Sequence, residues 1–452
     1  MKRRDFLRTA GAAALAGALN DLAGATDTEQ EAPTVFEADD PKVLALARRV
    51  LAKCALEKIM PPTPPLTNAW IVPGGPHYKG QWIWDTMFVV DLLAILPDKK
   101  PLLREVFRNY WDFQDRWNQT APEYARDMIT VAIKTEPQAV RQFSQIPILA
   151  WGLERVYRRN GDKELLRQCL GRLERFHDWY WRERDLHDNG LITVGAYTGR
   201  IQHARWETFD YECNMDGLKL TAHPKRKGPD EGAWYGDICV PGNTAYLVLG
   251  ERSLARLAKI AGDDAMARRR TRRAEKGAAA MRKHMWDQRA GAFLSVQRDT
   301  LEKIPVTTIG SWIPLAAGVP TKAMARRMAD VLAAPPWATP LPVPTVDPSD
   351  KRYRSGGFWR GDAWPPTNYQ IASGLASYGH DDLAAHIADK TVANAIQNGI
   401  SEHYDSQSGK ALGVRDYCMS CTLVMMMLDG LTRKHKLELA RQPRPSDHSR
   451  GS

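Results

Sequence analysis

Three short phrases carry the side chains best suited to chemistry in this chain. They are Gly80-Gln81-Trp82-Ile83-Trp84-Asp85, Phe358-Trp359-Arg360-Gly361-Asp362-Ala363-Trp364-Pro365-Pro366 and Ser401-Glu402-His403-Tyr404-Asp405. Each mixes aromatic rings with carboxylates at the edge of a helical stretch. Sugars are bound by such mixtures, because a ring face packs on the apolar side of a pyranose while charged groups take its hydroxyls. The phrases stand far apart in sequence, so only folding can assemble them. The combination points to a carbohydrate-active site. Cleaving a glycosidic bond would need two carboxyl groups flanking it, one to protonate the leaving oxygen and one to activate water or attack the sugar.

Helices must position these groups. Asp40 before Pro41 reads as an N-cap followed by proline at the first helical position. Val43, Leu44, Leu46, Ala47, Val50, Leu51 and Leu56 then form an apolar stripe. Similar stretches are predicted near 84–96, 99–118, 142–160, 163–182, 242–262, 264–286, 320–334, 365–379, 381–399 and 414–434. Turn signals such as Asn160-Gly161-Asp162 and Tyr378-Gly379-His380 separate them. Paired helices at this period predict an open solenoid or a closed α/α toroid. Functional phrases at helix ends favour the toroid, whose inner helices present their ends to one central cavity. The proline-rich segments Pro61–Pro65 and Pro335–Pro348 read as stiff surface loops. The stretch 183–240 has the weakest periodicity, and long ordered loops in compact domains are usually functional.

The first residues, Lys2-Arg3-Arg4-Asp5-Phe6-Leu7-Arg8, precede an Ala/Gly/Leu run and a small-residue site at Ala23-Gly24-Ala25. This is the anatomy of a secretory signal, and the paired arginines resemble a twin-arginine export signal read by the Tat machinery. A signal at 1–25, a mature N-terminus at 26–40, a toroid at 41–434 and a polar tail at 435–452 are therefore expected, in a periplasmic or secreted protein without a stable membrane anchor. Hydrophobic residues make up 43% of the chain, enough for a substantial core. Much of the formal charge of +10 comes from Arg268, Arg269, Arg270, Arg272, Arg273 and Lys276. That cluster reads as a solvated helix face or as a preference for acidic glycans. No nucleic-acid module is recognisable, so nucleic acid is not an expected partner. The six cysteines, Cys54, Cys169, Cys213, Cys239, Cys418 and Cys421, are too scattered for a disulfide scaffold. The single Cys418-Met419-Ser420-Cys421 phrase reads as packing or an incidental bridge, since nothing completes a zinc site. Asp405-Ser406-Gln407-Ser408-Gly409 lacks the later glutamate of a calcium loop. No metal or cofactor is expected.

With these residues in view, the chain resembles glycoside hydrolase family 63 and its trehalase-like relatives over most of residues 75–432. The resemblance implies an all-α, six-hairpin α/α toroid. Gln81-Trp82-Ile83-Trp84-Asp85 is similar to the family's aromatic-Trp-Asp phrase, whose aspartate binds sugar in the cleavage subsite. Asp287 through Phe293, preceded by Trp286, resembles its Trp-Asp-x-x-x-Gly-x-aromatic hairpin. Trp359-Arg360-Gly361 through Trp364 and Asn368-Tyr369 resembles Trp-Arg-Gly-Pro-x-Trp-x-x-x-Asn-Tyr, with Asp362 in place of the proline. Glu402-His403-Tyr404 with Gly409 resembles Glu-x-Tyr-x-x-x-x-Gly, whose glutamate is the general base. The acid motif is only partly matched. Trp206-Glu207-Thr208 resembles its start, and Asn214-Met215-Asp216 its catalytic end. Asp216 fits by local identity and Asp210 by distance from Trp206, with Glu207, Glu212 or no equivalent as the remaining readings.

The resemblance thus implies an inverting hydrolase of small α-linked sugars, α-glucosides foremost, with Asp216 as acid and Glu402 as base. Gln81, Trp82, Trp84, Asp85, Trp206, Glu207, Trp359, Arg360, Asp362, Trp364, Asn368, His403 and Tyr404 are the expected substrate contacts. Structural alternatives stand beside them: Glu402 as a turn acid next to Ser401, the tryptophans as core, and Arg360 as a salt-bridge partner of Asp85. A polysaccharide lyase using His203, His223 or Tyr211, and a catalytically silent glycan-binding protein, are the competing functions.

Overall fold

The structure, a computed structural model, describes residues 35–75, 78–135, 143–196, 219–222 and 234–440. The chain divides into two units, Met1–Glu37 with Glu438–Ser452, and Ala38–Leu437. In the first, Phe36–Glu37 pairs antiparallel with Glu438–Leu439. The helices belong to the second.

Helix α1 (Pro41–Arg49) begins as the sequence predicts: the Asp40 carboxylate accepts the Lys42 N–H at 2.8 Å, and the helix runs on into a π-turn, Val50–Ala55. Then come α2 (Ile83–Leu93), α3 (Lys100–Thr120), α4 (Leu149–Asn160), α5 (Lys163–Arg184), α6 (Pro241–Ile260) and α7 (Asp264–His284). The remaining helices are α8 (Lys322–Leu332), α9 (Pro365–Ser377), α10 (Asp381–Asn398) and α11 (Cys421–Leu428). Gly161, in the left-handed region at φ +63°, ends α4, and Asp162 immediately caps α5.

Packing closes a ring. Helix α2 lies against α4, α4 against α6, α6 against the 3₁₀ turn Ile313–Leu315, that turn against α9, α9 against α11, and α11 against α2. Around these, α5 and α7 pack on α6, α10 packs on α9, α3 on α5, and α1 on α10. Helix α2 is enclosed on every side, with all eleven of its residues buried. Outer helices bury one stripe, as α3 does with Leu103, Val106, Phe107, Tyr110 and Phe113. This is the six-hairpin α/α toroid, with one inner helix reduced to 3₁₀ turns.

Several local expectations change. The stretch 142–160 becomes helical only at Leu149, just after Pro147. The stretch 414–434 opens with a strand, Ala411–Arg415, and a 3₁₀ turn before α11 begins. Within 183–240, Thr193–Ala196 and Leu220–Ala222 pair with Trp234–Cys239, which also pairs with Val296–Gln297. The Pro335–Pro348 segment does not stay on the surface: Leu341 through Val346 are buried. Its backbone joins the neighbouring segments through Leu341 N–H to Ser406 O, Thr345 N–H to Asp362 O, and Ile309 N–H to Thr345 O. Part of the arginine cluster is an ion-paired seam between α5 and α7, while Arg268 and Arg272 stay exposed as on a solvated helix face. Arg270 is buried between Glu174, Asp178 and Glu251, while Arg269 reaches Glu174 and Lys276 reaches Asp185. Trp286–Asp287 and Ala292–Phe293 do form the expected hairpin.

Candidate active site

Glu402 sits on the strand Ser401–Tyr404, which pairs with Ala411–Arg415. The register slips between Ser401↔Arg415 and His403↔Leu412, so Glu402 faces two residues, Gly413 and Val414. Such a bulge takes an N–H out of the ladder. Here the Val414 N–H donates instead to Glu402 Oε2 at 3.0 Å. Gly413 makes this possible: its φ is +71°, and a Cβ there would lie 2.6 Å from Glu402 Oε2. The other carboxylate oxygen, Oε1, accepts the Tyr78 hydroxyl at 2.8 Å. Glu402 is 4% exposed. Its two oxygens are therefore oriented acceptors.

Asp85 lies in the first turn of α2 and is buried. The Tyr417 hydroxyl donates to its Oδ1 at 2.6 Å, and the rings of Tyr417 and Tyr78 are 5.3 Å apart. Asp85 and Glu402 are thus tied to one pair of tyrosines. Burial pushes the Asp85 carboxyl up to about 6; the Tyr417 hydrogen bond opposes this and the charge of Glu402 adds to it. Burial, then the neighbouring Glu402, also raises the Tyr78 phenol, which stays a donor.

An aromatic wall adjoins the strand of Glu402. Trp359 and Trp364 stack at 4.0 Å and 7°, and the far face of this group meets the His403 ring, 4.8 Å from Trp364 at 20°. Trp84 tilts against Trp359 at 5.9 Å. The wall rides on the 3₁₀ turn Phe358–Arg360, and two backbone bonds between Ala363 and Tyr404 dock that segment on the strand of Glu402. Asp362, wholly buried, accepts the Phe358 N–H through Oδ2 at 2.8 Å. The same oxygen is 2.8 Å from His403 Nδ1, an ion-pair approach off the line of a hydrogen bond.

The fold thus brings Trp84, Asp85, Trp359, Asp362, Trp364, Glu402 and His403 together. Other expected contacts go to the scaffold. Gln81 donates to Val106 O and accepts from Asn109. Asn368 donates to Pro342 O and Thr391. The Tyr404 hydroxyl donates to Gly399 O and accepts the Ser401 N–H. Trp82 packs with Val131, Ala132 and Phe143, its ring edge-on to Tyr78. Asp85 takes Tyr417 as its partner and not Arg360, whose half-buried guanidinium has no hydrogen-bond or ion-pair partner among the described residues. Asp405 serves its own turn, accepting Gln407 N–H and Ser408 N–H, and also the Ser355 hydroxyl. Cys418 and Cys421 are buried, free thiols. Among the described residues, no group of three His, Cys, Asp or Glu could hold a metal ion, and no helix is long and apolar enough to cross a membrane. Asp216, Asp210, Trp206, Glu207, the lyase candidates His203, Tyr211 and His223, and the export segment all lie outside the described residues.

Tyr78, Tyr417, Gly413 and the Val414 N–H were not singled out by the sequence reading. Tyr78 stands two residues before the first phrase, and Tyr417 directly precedes the CxxC, where the cysteines drew attention. The bulge leaves no sequence signal beyond one glycine in a strand.

Residues 78–420 match the family model described as a mannosylglycerate hydrolase MGH1-like glycoside hydrolase domain. The chain is 24% identical over 424 residues to a mannosylglycerate hydrolase of Thermus thermophilus, covering 79% of this chain and 96% of that one. It is 22% identical to a periplasmic trehalase of Citrobacter koseri, covering 78% and 65%. The fold matches a solved family 63 mannosylglycerate hydrolase from Thermus thermophilus in complex with Tris and D-glycerate, with a TM-score of 0.67 at 20% identity over 85% of this chain and 99% of that one. It also matches neutral trehalase from Saccharomyces cerevisiae, with a TM-score of 0.54 at 16% identity over 83% and 77%. With a family model spanning both the aromatic wall and Glu402, the chain belongs to the mannosylglycerate hydrolase MGH1-like branch of the family 63 glycosidases and is a glycoside hydrolase.

Proposed function

We propose that this protein is an exported, inverting hydrolase of small α-linked glycosides, with Glu402 as general base and Asp216 as general acid. The observation that carries the reading is Glu402 itself. It is a buried carboxylate whose oxygens are held by Tyr78 O–H and Val414 N–H, beside an aromatic wall and a second carboxyl. In an inverting reaction the base takes a proton from water as that water attacks the anomeric carbon, and the acid gives its proton to the leaving oxygen. Room for the water requires the two carboxyl groups to stand roughly 6.5–9.5 Å apart. Asp85 would bind sugar hydroxyls, and the Trp84 and Trp359 rings would line the apolar face.

Two leaving groups follow from the relatives. The mannosylglycerate hydrolases direct attention to glycosides of glycerate, and the trehalases to an α-glucosidic disaccharide. Export rests on the Arg3-Arg4 head and apolar run. Replacing both arginines by lysine should leave the enzyme in the cytoplasm on fractionation. The decisive assay is sugar release from α- and β-linked disaccharides and glycerate glycosides by wild type and Asp216→Asn. A fall of about a hundredfold or more supports the acid assignment. Equal release by both proteins rejects Asp216 and moves the role to Asp210.

A further inference from the structure

We infer that Asp362 and His403 form a positioning pair that fixes the general base against the aromatic wall; the inference rests on Glu402 being that base. One oxygen of Asp362 serves two segments. It accepts the Phe358 N–H, which starts the turn carrying Trp359, and it lies 2.8 Å from Nδ1 of His403, the residue that follows Glu402. The adjacent residues repeat the link in the backbone, Ala363 N–H to Tyr404 O at 2.8 Å and Tyr404 N–H to Ala363 O at 3.0 Å. The His403 ring then stacks on Trp364, with Phe358 edge-on at 5.2 Å. A Cβ on Gly413 would lie 2.8 Å from His403 Nε2 as well as 2.6 Å from Glu402 Oε2, so both side chains fill the same small space. Wall and base cannot shift independently while this pair is intact.

Asp362 is costly to keep. Its side chain is fully buried, and its Oδ1 has no partner among the described residues. A buried carboxylate oxygen without a donor is retained against a desolvation penalty. The backbone bridge alone would join the two segments. What the pair adds is a fixed orientation of the imidazole that packs beside Glu402, and small displacements of a reacting group cost large factors in rate.

The test uses the full chain and the variants Asp362→Ala, Asp362→Asn, His403→Ala and Asp362→Ala/His403→Ala. Crystal structures are the first readout and need no substrate. The pair requires Glu402 to leave its 2.8 Å contact with Tyr78 and its 3.0 Å contact with Val414 in both alanine variants. The second readout is kinetic, on a glycoside the wild type hydrolyses. Both single alanine variants should lose about 10- to 100-fold in kcat with KM nearly unchanged, and the double variant should be no worse than the poorer single one. Asp362→Asn, which keeps an acceptor for Phe358 N–H, should recover part of the loss and guards against an alanine variant that fails to fold. Glu402 unmoved in the variants overturns the pair, as does additive loss in the double variant or a wild-type kcat in an active enzyme. A wild type that cleaves no glycoside rejects the hydrolase reading instead, and the structures still decide the pair.

Discussion

Replacing Asp85 by asparagine should change how stability depends on pH, and the structure sets both the sign and the size. The carboxyl is buried beside Glu402, which lifts it from 3.8 to about 6. Between those values the folded chain holds a proton that the unfolded chain has released, so stability falls as pH rises through this window. A displacement of about 2 pH units corresponds to about 3 kcal/mol at 1.36 kcal/mol per unit. That cost is absent below about pH 4 and complete above about pH 7. Asparagine cannot ionise, so the variant escapes it. Urea unfolding of wild type and Asp85→Asn at pH 4, 5, 6 and 7 should show the variant gaining about 3 kcal/mol relative to wild type across the series. With Asp85 binding sugar hydroxyls as proposed, the same ionisation supplies the acceptor, so wild-type KM should fall as pH climbs through about 6. A stability gap that stays flat, or that moves in the wild type's favour with rising pH, would refute a buried, charge-opposed carboxyl at this position.

Other expectations follow from the same geometry. Tyr417→Phe removes a hydrogen bond that lowers the Asp85 pKa, so the pH window of that titration should move upward in the same unfolding series. Gly413→Ala places a methyl 2.6 Å from Glu402 Oε2 at a φ of +71°, and kcat should fall by about a hundredfold while circular dichroism stays native. Arg270→Ala leaves Glu174, Asp178 and Glu251 facing one another at the seam of α5 and α7, and should lower stability by about 3–5 kcal/mol without changing KM.

Much of this fold could be read from the chain. Helix starts were legible where chemistry fixes them, as at Asp40-Pro41 and at Gly161-Asp162, because a cap and a left-handed glycine act locally. The ring followed from the pairing of helices and from functional phrases placed at helix ends, as Asp85 is in the first turn of Ile83–Leu93. Elements set by distant contacts were not legible. The strand Ala411–Arg415 is held by Ser401–Tyr404 and alternates poorly in its own sequence. Leu341–Val346 looked like a surface loop from its prolines, yet it is buried because Asp362, Ser406 and Ile309 supply its hydrogen bonds. At the site, Glu402, Asp85 and the tryptophans were visible as residue types. Which of their neighbours would be used up by the scaffold was not. Gln81, Asn368 and Tyr404 looked like sugar contacts until Gln81 proved to be engaged by Val106 O and Asn109, the Asn368 NH2 group by Pro342 O and Thr391, and the Tyr404 hydroxyl by Gly399 O. Tyr78 and Tyr417 gained their roles from contacts more than three hundred residues apart, Tyr78 to Glu402 and Tyr417 to Asp85, which no local pattern encodes.

The general-base assignment is tested most directly by following hydrolysis of an α-glycoside by proton NMR, with wild type and Glu402→Gln side by side. The wild type should release the β-anomer first, and the glutamine variant, which keeps the shape but cannot take a proton from water, should lose about 10²- to 10⁴-fold in kcat. Initial release of the α-anomer, or a glutamine variant as fast as wild type, would contradict it.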